Sequence, residues 1–391
     1  MGMARKSSTI AAVLIILCSA LGCCNAVGLP VRRGRDLGAV FNVAFMQAWH
    51  AACNFIGPRA RVFVPVGIFT IGEVLFQGPC KPLSPVIFQV AGTLQAVSDV
   101  SAYSGQGWIS FNSVYGLIIT GGGTIDGQGQ NVWQYNDCKS NGDCVHLPAS
   151  VHFIDVKNAK IKGLNFVNAM GFHMHISDSY LVRAHSLTIT APPDSPNTDG
   201  LHISKSNTIK VSRSVIRTGD DCVSIGQGAT NVTINQVVCG PGHGISVGSL
   251  GRLPNEMDVR GLIVKNCTLQ GTTNGIRIKT FGGSGPSVAA GMLFSDVVVE
   301  NVLNPIIIDQ NYGGSSSKPS QVKITDVIYD NIRGTTNSPV AINLMCSSSV
   351  PCKNVHFANI NLKYIGNNVL SSTCANAQVI SSGVQNPRPC L

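Results

Sequence analysis

Six side chains in the middle of the chain have the types needed for proton transfer and anion binding. They also recur at a fixed phase. Asp199 stands in SPNTDGLHI, Asp220 and Asp221 in RTGDDCVSI, His243 in GPGHGISV, and Arg277 and Lys279 in NGIRIKT. Each stretch ends in a short apolar pulse. Asp199 lies four residues before Ile203, Asp221 four before Ile225 and His243 four before Val247, while Arg277 and Lys279 flank Ile278. Carboxylates brought together repel, so at least one should keep its proton to higher pH. A protonated acid beside an ionised one is the minimum needed to hydrolyse a glycosidic bond: one protonates the leaving oxygen, the other draws a proton from water. Arg277 can grip a carboxylate through two parallel hydrogen bonds, and Lys279 supplies a point charge. A sugar acid therefore suits the set better than a neutral sugar.

Taken singly, each group has an ordinary explanation. An Asp in a turn caps local backbone amides, a Gly-Asp-Asp turn can hold calcium, His243 suits an unusual turn, and two cations suit a solvated strand face. What these do not explain is the coincidence of all six at one phase.

The elements that must position them are read from the same pulses. They recur at 173–176, 200–203, 222–225, 244–247, 275–278, 305–308 and 341–344, with first steps of 27, 22 and 22 residues. About twenty residues hold three short strands and three turns. Strands stacked at a fixed period, with few hairpin signals and no crossover helices, point to a right-handed parallel β-helix. A two-sheet sandwich is disfavoured because Asn-Gly hairpin turns are sparse. On a β-helix, one phase on successive coils is one place on the surface, about 4.8 Å apart. Asp199, Asp221 and His243 should form a column with Asp220 beside it. The stretch AFMQAWHAAC (44–53) alone reads as a helix, suited to capping the N-terminal end of the core.

The 391 residues include 42 glycines and only 12% charged residues, which excludes disorder and suits an all-β chain of tight turns. The net charge of +9 favours an acidic partner; without a Lys/Arg-rich run or a reader motif, nucleic acid is not expected. Residues 1–26 combine Arg5 and Lys6, an apolar run too short for a comfortable membrane span, and small residues near Ala26. They read as a secretory signal before one domain from 27 to 391, with no membrane association after cleavage. Fourteen cysteines, three of them in that signal, fit an oxidising compartment. Proximity pairs Cys138 with Cys144, Cys222 with Cys239, Cys346 with Cys352 and Cys374 with Cys390, and more loosely Cys53 with Cys80, leaving Cys267 over. Neither a metal nor a cofactor is expected, since no CxxC pair or His/Cys spacing supports one. Asn231 and Asn266 stand in glycosylation sequons.

In the motifs NTD (197–199), GDD (219–221), GHG (242–244) and RIK (277–279), and in NPIIIDQNY ending at Tyr312, the chain strongly resembles the polygalacturonases of glycoside hydrolase family 28. The resemblance runs from about residue 38 to 391, and its GSLGRLPNEMDVRG stretch and Cys-rich tail look most like the plant pollen-type exo-acting branch. It implies a right-handed parallel β-helix and inverting hydrolysis of α-1,4-galacturonan by a secreted, cell-wall enzyme, expected to be a monomer. It also implies Asp220 as general acid, Asp199 and Asp221 holding the attacking water, His243 supporting the acid, and Asn197, Arg277, Lys279 and Tyr312 binding galacturonate. Stacking alone does not give inversion: one rung is nearer the retaining separation of about 5–5.5 Å than the inverting ~6.5–9.5 Å. Two departures stand out. The stretch YGAxGDGxTDD usual after FNV is missing, which shortens the first turn, and no cysteine pair follows Tyr312. An endo-acting polygalacturonase, a calcium-dependent pectate lyase and a non-catalytic pectin-binding relative are the alternatives.

Overall fold

The computed structural model describes residues 37–136, 147–283, 285–314 and 316–390. The signal segment and the Cys138–Cys144 pairing lie outside these residues. Two parallel sheets, of 18 and 11 strands, run from Val62's neighbourhood to the C-terminal coils, and every recorded strand pair is parallel. Each coil contributes one strand to the smaller sheet and, through sharp bends, one or two to the larger. This is the right-handed parallel β-helix expected from the repeats.

The apolar pulses set the coil register. Ile176, Ile203, Ile225, Val247, Ile278, Ile308 and Leu344 are paired rung to rung and are fully buried. Side chains alternate across a strand, so the residue before each of these points outward from the core. Truncating one such isoleucine to alanine costs about 2–5 kcal/mol, since its rung neighbours cannot collapse into the gap. Toward the N-terminus the inner column becomes aromatic, with Phe76, Phe88, Phe111 and Phe153 at centroid separations of 5.1–5.7 Å.

The N-terminal helix spans Leu37–Asn54, longer than the 44–53 read from sequence. Phe45, Ala48, Trp49, Ala52 and Cys53 form its buried stripe at i, i+3, i+4, i+7, i+8. Trp49 packs 5.1 Å from Phe76 and donates its indole N–H to the Gln77 carbonyl. The shortened first turn is compensated within this helix: Asn42 Oδ1 accepts the Gly72 N–H at 2.8 Å, and the Cys53–Cys80 disulfide ties the helix end to the first coils. The pairs Cys222–Cys239, Cys346–Cys352 and Cys374–Cys390 also form, and Cys267 is a buried free thiol whose pKa burial pushes up to about 11. Among the described residues no helix is long and apolar enough to cross a membrane.

Candidate active site

The chemistry-bearing residues sit where coils enter the smaller sheet and on that sheet's outer face. The first turn, Ser195–Gly200, is built by its own hydroxyls. Ser195 and Thr198 share a 2.6 Å hydrogen bond, and Thr198 Oγ1 accepts the Gly219 N–H from the next coil. This joins the NTD turn to the GDD turn. Gly219 permits the contact, because a Cβ there would lie 2.1 Å from the Ser195 carbonyl oxygen. His173, fully buried, fixes the turn from below through its Nδ1 and backbone N–H, both directed at the Asp199 carbonyl. Asn197 occupies the left-handed region at φ 53, a conformation asparagine tolerates.

The strands Leu201–Ser204 and Asp221–Ile225 pair Ile203 with Ile225, which puts Asp199 and Asp221 one rung apart as the spacing predicts. The next step differs. Between Asp221–Ile225 and Gly244–Leu250 the register slips, and Asp221 pairs with Gly244 rather than with His243. His243 thus leaves the column and stands beside Asp220. Its backbone N–H donates to the Asp220 carbonyl, and its Nδ1 lies 2.9 Å from Asp220 Oδ1. A fixed four-residue count cannot see this bulge.

The three carboxyls have different surroundings. Asp221, 1% exposed, receives Arg277 Nη2 at 2.8 Å and Ser246 Oγ at 2.6 Å on Oδ1, and Lys279 Nζ at 3.0 Å on Oδ2. Burial alone would raise its pKa, but Lys279 and Arg277 outweigh burial and hold it below the usual carboxylate value. Asp199, 5% exposed, receives among the described residues only Ser224 Oγ at 2.6 Å on its carboxyl. Burial, then the charges of Asp220 and Asp221, raise its pKa well above the usual value. Asp220 is the outermost of the three, its side chain 19% exposed, with Oδ1 held by His243 and by the Asp221 N–H. The expectation that one acid keeps its proton is met at Asp199.

Arg277 and Lys279 lie on the strand Asn274–Phe281, the first pairing with Ser246. Their charged heads sit 5.9 and 5.1 Å from the Tyr312 ring, which packs edge-on against Phe281 at 5.5 Å. Tyr312 is therefore held by ring contacts despite lacking the cysteine pair. These contacts link Asp220, Asp221, His243, Arg277, Lys279 and Tyr312; Asp199 stands one rung from Asp221 and is held by Ser224, and Asn197 is not among the linked residues. Asp220, Asp221 and His243 also have the spacing of a metal-binding trio. However, both Asp221 oxygens face buried cations, which a divalent ion would have to displace.

Sequence reasoning missed Ser224, Ser246 and His202. His202 pairs in register with Ser224, Ser224 with Ser246 and Ser246 with Arg277. His202 Nδ1 lies 2.8 Å from Ser224 Oγ, in hydrogen-bond contact, and burial lowers its pKa to about 4. The signal was available: they fill the same outward position of the pulses LHI, VSI, ISV and IRI.

Residues 53–384 match the family described as Glycosyl hydrolases family 28. An exopolygalacturonase from Platanus acerifolia is 43% identical over 90% of this chain and 97% of its own length. An Arabidopsis thaliana exopolygalacturonase is 44% identical over 87% of this chain and 82% of its own. Among solved structures, a polygalacturonase from Erwinia carotovora ssp. carotovora superposes with a TM-score of 0.69 at 26% identity, over 85% of this chain and 93% of that one.

Proposed function

The chain belongs to glycosyl hydrolases family 28, and on that premise we propose that it hydrolyses the α-1,4-galacturonosyl bonds of pectin. It acts from the non-reducing end, releasing single galacturonates with inversion. The observation that carries the reading is the Asp199–Asp220–Asp221 group opening onto Arg277, Lys279 and Tyr312. The names of the two plant relatives support exo action.

Each role follows from which atoms are left over. Asp220 is outermost, and with Oδ1 taken by His243 and the Asp221 N–H its Oδ2 is the oxygen that can hand a proton to the glycosidic oxygen. A general acid must reach that atom, which supports Asp220 for the task rather than Asp199, although Asp199 has the raised pKa. Asp199 spends Oδ2 on Ser224, leaving Oδ1 to take a proton from water once ionised. Asp221 stays ionised between its cations and orients the same water. Lys279 uses one N–H on Asp221, and Arg277 uses Nη2 and Nε on Asp221 and Ser246; the remaining N–H groups face a substrate carboxylate. Tyr312 forms the adjoining wall, and Asn197 stands within the Asp199 turn. In this reading 1–26 directs secretion to the cell wall, 27–391 form one domain, the enzyme works as a monomer, and Asn231 and Asn266 carry glycans.

Chromatography of early products from polygalacturonate tests the proposal, with Asp220→Asn as control. Monomer alone is expected from the wild type, and removing the acid should lower the rate by about 10²–10⁴-fold. Oligomers of mixed length would instead show endo action, unsaturated products a lyase, and no release from folded protein a binding relative.

A further inference from the structure

The net charge of +9 is not exhausted by the cleft. Three consecutive rungs of the larger sheet, Lys157–Lys162, Tyr180–His185 and Asn207–Arg217, contain no Asp or Glu at all. Their register stacks Lys160 on Arg183 and Arg183 on Lys210. The buried residues on either side, Ala159 and Ile161, Val182 and Ala184, and Ile209 and Val211, face inward, so the cations face out. Lys162 continues the same face two residues on, Arg213 follows Lys210 at a left-handed corner (φ 48), and Arg183, Lys210 and both of these are exposed. Among the described residues none of the five forms an ion pair. The adjacent His185 has its pKa lowered by burial and then by Arg213, Lys160 and Lys162.

A column of like charges one rung apart, about 4.8 Å, is unfavourable unless an anion relieves it. The rungs on either side, Tyr115–Thr120 and Thr230–Cys239, carry no charge, so the cations are concentrated on three coils. Each basic strand follows a strand of the smaller sheet through a two-residue turn, whereas Asp199 and Asp220 precede such strands. The ridge therefore lies around one corner of the solenoid from the cleft and toward its N-terminal side, sharing with the cleft the coil that carries Asp199 and Lys210.

We propose that Lys160, Arg183 and Lys210, with Lys162 and Arg213, form a second binding surface for de-esterified galacturonan, separate from the catalytic cleft. An evenly spaced row of cations fits a polymer with one carboxylate per sugar, and the assignment rests on the reading that this polymer is the enzyme's substrate. Held there, a long chain stays near the cleft between turnovers, which raises the effective concentration of its ends.

The test uses the full-length protein and the triple variant Lys160→Gln, Arg183→Gln, Lys210→Gln. Turnover of trigalacturonate, too short to span both surfaces, should be unchanged. Binding to immobilised polygalacturonate, with excess monogalacturonate filling the cleft, should weaken about tenfold at low salt and converge with the wild type as salt screens both. Binding to fully methyl-esterified pectin should not distinguish the two proteins. Unaltered retention would overturn the proposal, as would equal losses on esterified pectin, a parallel fall in trigalacturonate turnover, or preference for DNA or anionic phosphatidylserine vesicles over polygalacturonate. Absence of trigalacturonate hydrolysis by the wild type would instead strike the enzymatic reading and leave the retention measurement interpretable.

Discussion

The ion pair between Lys279 and Asp221 offers the most direct check on how the site is held. The two groups are 3.0 Å apart with side chains 9% and 1% exposed, so solvent screens them little. At an effective dielectric constant near 20 the attraction is about 5.5 kcal/mol. Desolvation of both ions cancels part of it. Breaking a buried pair from one side typically costs about 3–5 kcal/mol, because a bare charge is left behind. In Lys279→Met that charge still faces Arg277 and Ser246, so the lower end, about 3 kcal/mol, applies. Over roughly 340 described residues, an unfolding entropy of about 2.1 cal/mol/K per residue makes this a fall in Tm of about 4 °C. Asp221→Asn removes the charge, and combining both substitutions should recover about 2 kcal/mol relative to the sum of the singles. Asp221's folded pKa is depressed, so its stabilisation is present above the unfolded carboxylate value and lost as pH falls through the folded one. The coupling should thus be full at pH 7 and vanish in strong acid. Calorimetry of the four proteins across pH gives the cycle. Additivity within about 0.5 kcal/mol at pH 7 would refute the pairing, as would a coupling indifferent to acid.

Two further outcomes follow from the same contacts. Tyr312→Ala should weaken galacturonate product inhibition about fivefold and Tyr312→Phe much less, because a partly exposed cation–π contact is worth about 1 kcal/mol and the phenyl ring retains it; equal losses would place the effect in the hydroxyl. Asp199 has a raised folded pKa, so its contribution to stability is fully present below the unfolded value and lost as pH rises through the folded one. Asp199→Asn, which keeps an acceptor for Ser224, should therefore be more thermostable than the wild type at pH 7, with the gap closing as pH falls toward about 4. The wild-type rate should rise on Asp199 ionisation, above the ordinary carboxylate range; a pH-independent gap in melting temperature would contradict the burial argument.

The coils were legible because burial enforces their phase. Ile203, Ile225, Val247 and Ile278 must each point into one narrow core, so equal apolar pulses had to stack. The helix was legible from the same pressure over 44–53, although its start at Leu37 was not. The disulfides among described residues followed from sequence proximity because neighbouring coils bring near cysteines together. Ser224, Ser246 and His202 went unread for a different reason. Their hydroxyls and ring act through neighbours on adjoining coils, so the one mark they leave is the shared outward position of the pulses, and nothing local to a serine makes it the partner of a carboxylate 25 residues away.

The position of His243 shows what a regular solenoid must give up to become a catalyst. With strict register, the imidazole would stand over Asp221, already neutralised by two cations, and Asp220 would face the groove unsupported. The slip between Asp221 and Val223 moves the ring by one residue, onto Asp220. The same stack then separates two acids one rung apart. Asp199 meets a neutral hydroxyl on the following coil, whereas Asp221 meets Ser246 there and Arg277 one coil further on. Equal spacing supplies nearness, and unequal neighbours along the coil axis push the pKa values in opposite directions. That separation gives paired carboxyls different tasks.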